Sequence, residues 1–200
     1  MLFSLWQEAG RHNWLFVGRL APNKGHLHLI RALAHYRRHI RNDATLILVG
    51  DYVPGLSSYR FELLSEIRRQ GLLHAVKLVG KVSTRQLKTY YRHARVFVCA
   101  SEHEGFCVPL VEAMYYRVPI VAFGSSAIPS TLGSAGLYWP TPSPALLAES
   151  AWQIESRPDV RAALIESQSA RFATHFSTEV LERGLEDALT PLLAGGAVGV

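Results

Sequence analysis

This 200-residue chain predicts an α/β domain: a parallel sheet of about six strands with helices on both faces. Three observations carry that prediction. Short β-like runs alternate with helix-like segments over the first 140 residues, the signature of consecutive βαβ units. The β-like runs are continuously apolar, as strands covered on both faces require. The loops that follow them hold glycine and charge, as ligand-binding loops do at the carboxyl ends of parallel strands. Composition agrees: 48% of residues are hydrophobic and 18% charged, which supplies a core and excludes a disordered chain.

The elements follow in order. Trp14–Val17 reads as the first strand. Gly25–Ile40 places Leu27, Ile30, Leu33, Ala34 and Ile40 at close to helical spacing. Thr45–Val49 is a second buried-type strand, and Tyr59–Gln70 an amphipathic helix stopped by Gly71. Val76–Val79 is the third strand. Ser83 and Gln86 form an S-x-x-Q capping box, which predicts a helix from there to about His93. Arg95–Ala100 is the fourth strand. Val108–Tyr116 is a helix with Pro109 in its first turn, where a missing N–H costs nothing. Pro119–Phe123 and Leu137–Trp139 are the fifth and sixth strands. Beyond Pro140, residues 144–155, 159–175 and 178–193 read as helices. The expected organisation is a short start over residues 1–12, one domain over 13–193 and a loose tail over 194–200.

No apolar run is long enough to span a membrane, and Met1–Gly10 lacks the basic start and apolar stretch of a secretory signal. The two cysteines, Cys99 and Cys107, do not require a disulfide, so a reducing cytoplasm is the simpler compartment. No His/Asp arrangement singles out Cys107 as a nucleophile. Charge is uneven. Residues 1–100 hold 16 Lys and Arg against 5 Asp and Glu, whereas residues 101–200 hold 5 against 11. A basic half suits phosphates, an anionic membrane or nucleic acid. Arg31, Arg37, Arg38 and Arg41 equally read as a solvated helix face. No aromatic-interleaved basic patch supports nucleic-acid binding.

Two loops carry candidate chemistry. Gly18-Arg19-Leu20-Ala21-Pro22-Asn23-Lys24-Gly25 follows the first strand and opens a helix. Its glycines allow close backbone approach, its two cations suit phosphate oxygens, and the helix N-terminus adds positive potential. An ordinary turn with solvated basic residues has the same sequence. It is not a P-loop, because G-x-x-x-x-G-K-[ST] is absent. The second loop, Ser101 to Val108, runs into the helix that carries Glu112. Carboxylates there suit sugar hydroxyls, and Gly105 can expose backbone N–H groups. Glu112 also reads as a solvent-facing helix residue. His103 is either a base or polar surface, and Phe106 either stacks on a ligand or packs into the core.

Together these loops resemble those of family-4-type glycosyltransferases of the GT-B fold. Phe16-Val17-Gly18-Arg19-Leu20 with Asn23-Lys24-Gly25 resembles that family's first βα loop. The stretch Ser101 to Met114 resembles its E-x7-E motif, with Glu104 and Glu112 eight apart. Pro119–Ala122, Ala127-Ile128-Pro129 and Gly133–Tyr138 fit as well, so the likeness covers roughly residues 13–193.

The resemblance implies a Rossmann-like domain, the C-terminal half of a GT-B enzyme, that binds a UDP-, GDP- or ADP-linked sugar. It implies that Arg19 and Lys24 bind the donor diphosphate and stabilise the leaving group, and that Glu104 contacts the donor sugar. Gly18, Gly105, Phe106, Val108, Leu110 and Val111 would line the site, Glu112 would hold the ribose, and Lys81 and Val82 would flank the base. The family is retaining and metal-independent, and no D-x-D occurs in this chain. Ser130 stands where the family leads one to expect an acidic residue.

The expected activity is sugar transfer to a glycan, lipid or other acceptor. Acceptor recognition would belong to an N-terminal domain, or a partner subunit, not contained in these 200 residues. A stand-alone nucleotide-sugar-binding subunit is the alternative. A sugar-nucleotide epimerase or a phosphorylase is a further one, against which the E-x7-E loop argues. The expected location is the cytoplasm, with peripheral contact to the inner membrane face if the acceptor is a lipid.

Overall fold

The computed structural model describes residues 12–53 and 55–194, without the side chains of 192–194. The expected start over residues 1–12 and the tail over 194–200 therefore lie almost wholly outside the described residues.

Six parallel strands form one sheet: β1 (Asn13–Val17), β2 (Thr45–Val49), β3 (Val76–Gly80), β4 (Val96–Cys99), β5 (Ile120–Phe123) and β6 (Leu137–Trp139). Their spatial order is β3-β2-β1-β4-β5-β6. Helices α1 (His26–His39), α2 (Ser57–Arg69), α3 (Thr84–His93), α4 (Val108–Tyr115), α5 (Ile128–Leu132), α6 (Pro144–Ser156), α7 (Pro158–His175) and α8 (Thr178–Ala194) complete the chain. Every predicted strand and helix is present, with ends shifted by a residue or two.

The sheet is buried on both faces because successive side chains point to opposite sides. Trp14, Phe16, Leu46, Leu48, Val96 and Val98 enter a core shared with residues of α1, α2, α6 and α7. Leu15, Ile47, Val49, Phe97, Cys99, Ile120 and Ala122 enter a second core beneath α3, α4 and α5. Each central strand must therefore be apolar at every position, which is the pattern the sequence carries. β3 lies at an edge, where only Val76 is fully buried and Lys77 is half-exposed.

Local sequence accounts for the helix ends. The Ser83 hydroxyl accepts from the Gln86 N–H, and the Gln86 side chain accepts from the Ser83 N–H, completing the predicted capping box. Ser143 caps α6 with Pro144 at its first position. The short helix α5 has no counterpart in the sequence reading. Its five residues span too little more than one turn for periodicity to show.

A buried carboxylate joins α6 to the start of β1. Glu155 accepts from the Trp14 indole at 3.0 Å and the Tyr36 hydroxyl at 2.9 Å, and also bonds His12. The basic residues of α1 and its end stay at the surface, with Arg31 and Arg38 exposed and Arg37 and Arg41 half-buried. Arg31 pairs with Glu66, Arg41 with Asp43, and Arg37 donates to the Ala44 carbonyl. These three guanidinium groups have partners within the chain and remain accessible to solvent.

Candidate functional site

The strand order reverses between β1 and β4, which both leave the sheet at the same end and pair directly, Trp14 with Val96 and Leu15 with Phe97. The following loops turn to opposite faces and open a crevice, the usual ligand position in such sheets. Both sequence-predicted loops lie here.

A close backbone approach locks them together. Gly25 has φ +65, and a Cβ on it would lie 2.0 Å from the Ala100 carbonyl oxygen. Only glycine lets the β1 loop settle onto the end of β4. The Glu102 N–H then reaches the Asn23 carbonyl at 2.8 Å. A 3-10 turn over Pro22–Lys24 aims Lys24 across the crevice, where its Nζ donates to Glu104 Oε1 at 2.7 Å. Both side chains are mostly shielded, with 16% and 12% exposure, so the pair sits in a medium less polar than water. The Glu104 N–H donates to the Ser126 hydroxyl at 3.0 Å, tying the loop to the segment after β5. Ser125 makes a further tie to the Ser101 carbonyl.

Glu112 follows on α4. Its Oε2 accepts from the Tyr91 hydroxyl at 2.8 Å, and the same hydroxyl lies 3.3 Å from the Pro109 carbonyl. Burial, reinforced by the Glu112 charge, pushes the Tyr91 phenol far above its ordinary range, so it stays a donor. Val82 packs against the core that contains Tyr91 and Leu110. Lys81 is exposed beyond the end of β3.

The remaining predicted residues divide by environment. Arg19 is exposed, and its side chain has no hydrogen-bond or ion-pair partner among the described residues. Gly105, Phe106 and Val108 are exposed, and a Cβ on Gly105 would meet nothing within 4 Å. Phe106 leans edge-on against Phe176, and its carbonyl accepts from Thr131. Val111 is half-buried. Leu110 is fully buried with its N–H on the Cys107 carbonyl, so its side chain supports the loop from the core side. A Cβ on Gly18 would approach the Phe16 ring at 2.9 Å, so this glycine meets the protein's own core. His103 is exposed.

Beneath the β1 loop, His26 is fully buried, edge-on to Phe16 and 3.0 Å from the Tyr59 hydroxyl. Burial depresses its pKa to about 3 from an ordinary 6.5. The unfolded chain therefore takes up a proton before the folded one does. Stability is complete above pH 6.5 and falls as pH drops toward 3. Carboxylates such as Glu66 begin to titrate in the unfolded state near 4.5. Between pH 6.5 and 4.5, urea unfolding should lose up to ~1.4 kcal/mol per pH unit from His26, a slope that His26→Gln should flatten. An unchanged slope in the variant would exclude His26 as the source.

Sequence reasoning missed Tyr91, Ser126 and Thr131, and gave the Asn23 carbonyl no role. Tyr91 shows only as one residue of an amphipathic helix. The others act through a backbone carbonyl or a hydroxyl, which no motif marks.

The sheet order defines a doubly wound α/β protein whose charged loops gather at its switch point. The chain belongs to the glycosyl transferases group 1 family, whose model matches residues 8–171. It is 32% identical over 132 residues to the O-antigen chain mannosyltransferase B of Escherichia coli, a match covering 66% of this chain and 34% of that protein. Anabaena Alr3699/HepE, solved in complex with UDP, superposes with a TM-score of 0.80 at 26% identity, over 95% of this chain and 52% of that one. The C-terminal domain of the group 1 protein LpcC from Francisella tularensis superposes with a TM-score of 0.75 at 22% identity, over 88% of this chain and 92% of that domain. The fold is thus that of the C-terminal domain of a GT-B glycosyltransferase, and the chain spans about a third of the mannosyltransferase it matches.

Proposed function

We propose that this chain is the donor-binding domain, over residues 13–193, of a retaining, metal-independent glycosyltransferase. It moves a sugar from a nucleoside-diphosphate sugar to a glycan, lipid or other acceptor. The observation that carries this reading is the Lys24–Glu104 pair across the switch point, with Glu112 held by Tyr91 one helix further on. One end of the crevice then offers cations and the N-terminus of α4, and the other a fixed carboxylate.

Arg19 and Lys24 hold the diphosphate. As the bond from the anomeric carbon to the diphosphate oxygen lengthens, negative charge grows on the phosphates, and these cations stabilise it in place of a metal ion. Glu104, oriented by Lys24, accepts from donor-sugar hydroxyls. The free Oε1 of Glu112 accepts from the ribose, while Lys81 and Val82 border the base. Gly105, Phe106, Val108 and Val111 border the sugar and phosphates. The acceptor is bound by an N-terminal domain or partner subunit. The reaction belongs to the cytoplasm, with the membrane's inner face the site of work on lipid acceptors. Among the described residues no helix is long and apolar enough to cross a membrane.

Calorimetric titration with UDP, GDP and ADP and their sugar conjugates, with chelator present, tests this reading. Saturable binding with preference for one nucleotide is expected, and no binding of any at millimolar concentration would refute it. Tyr91→Phe removes the donor to Glu112 Oε2, and should weaken nucleoside monophosphate binding by about five- to tenfold. Unchanged affinity would mean that Glu112 does not meet the ribose.

A further inference from the structure

Cys99 closes β4, Cys107 precedes α4, and Glu104 lies in the loop between. The two Sγ atoms and a Glu104 carboxylate oxygen lie within 4.8 Å of one another. Thiolates around a tetrahedral zinc ion, at Zn–S of about 2.3 Å, stand about 3.7 Å apart. Closure therefore needs shifts of about an ångström, small for a loop carboxylate. Two sulfurs and one oxygen are a donor set for zinc-type cations, and they discriminate against magnesium and calcium. Both thiols are free and buried.

A second observation concerns the backbone. Cys107 has φ +66, the left-handed region. A residue with a Cβ costs roughly 1 kcal/mol there, and glycine costs almost nothing. Strain of this kind at a ligand-facing loop points to a use for the side chain. Here the side chain is a sulfur facing a second sulfur beside the carboxylate of the crevice.

We propose that Cys99, Glu104 and Cys107 bind a thiophilic divalent cation of the zinc type, and that the bound ion draws Glu104 away from Lys24 and from the donor sugar. Binding exchanges two thiol protons for the ion, releases them to solvent and involves no oxidation. Three protein ligands leave the fourth position to water. The ion is an inhibitor and takes no part in the transfer itself, which stays metal-independent. The inhibitory consequence rests on the donor-site reading, whereas ion binding does not.

The test begins with the reduced chain and Co2+ as a spectroscopic stand-in. One equivalent should produce visible d–d bands and a thiolate charge-transfer band, and Zn2+ should displace both. Cys107→Gly should melt at the same or a higher temperature and lose the charge-transfer band, as should Cys99→Ala. One equivalent of Zn2+ should weaken UDP- or GDP-sugar binding about tenfold or more, reversibly with chelator, and should leave Cys107→Gly unaffected. Absence of the band in the parent protein overturns the site, and so does its survival in both variants. A Cys99–Cys107 disulfide in the isolated protein that binds no cobalt after reduction also overturns it. Cobalt binding without donor binding under any condition would uphold the ion site and refute the donor reading.

Discussion

Replacing Lys24 by methionine is expected to weaken nucleoside diphosphate binding by about ten- to a hundredfold and to change nucleoside affinity by less than about twofold. The difference follows from position. Lys24 reaches across the switch point from the β1 loop to Glu104, whereas Glu112 on α4 is held separately by Tyr91. A charge-assisted contact in a shielded site contributes about 1.5–3 kcal/mol. Its removal also leaves the Glu104 carboxylate unpaired, which itself repels phosphate. The double variant Lys24→Met with Glu104→Gln separates the two effects, and should recover part of the diphosphate affinity without restoring donor-sugar affinity. Calorimetry on matched nucleoside and diphosphate decides the matter. Equal losses for both ligands would remove Lys24 from the diphosphate site.

Gly25→Ala should cost about 3 kcal/mol and lower the melting temperature by roughly 10 °C. The added Cβ meets backbone, the Ala100 carbonyl at 2.0 Å, so no side-chain rotation relieves it, and φ +65 adds its own cost. The β1 loop must lift from the end of β4. That displaces Lys24 from Glu104, so nucleotide affinity should fall together with stability. Gly184→Ala is the control. This glycine lies within α8 with nothing within 4 Å of an added Cβ, and alanine there should stabilise by about 0.5–1 kcal/mol. A melting temperature for Gly25→Ala within about 2 °C of the parent would show that the two loops are not locked as described.

Much of the candidate site was legible because its parts are local in sequence. Gly18 to Gly25 is a single loop, and Glu104 to Glu112 is one loop and one helix turn. The spacing of Glu104 and Glu112 needs no tertiary knowledge, and neither does the placement of cations beside a helix start. Tyr91 was not legible, because its bond to Glu112 joins residues 21 apart across a helix–strand–loop path. Nor was the purpose of Gly25. As a sequence feature it read as room for a ligand, and in the fold it makes room for the Ala100 carbonyl.

Sequence by itself determined the fold class, the strand list and the starts of the longer helices, since each depends on side chains within a few residues of one another. Continuous apolar runs demand two-sided burial, and Ser83 with Gln86 writes its own cap. Only the tertiary structure decided which charges are free to act. Arg31 is held by Glu66, whereas Lys24 crosses to Glu104. The tertiary structure also set Cys107 against Cys99. The reason is physical: a charge or a thiol acquires its role from groups within a few ångströms, and in a parallel sheet those groups come from strands far apart in the chain.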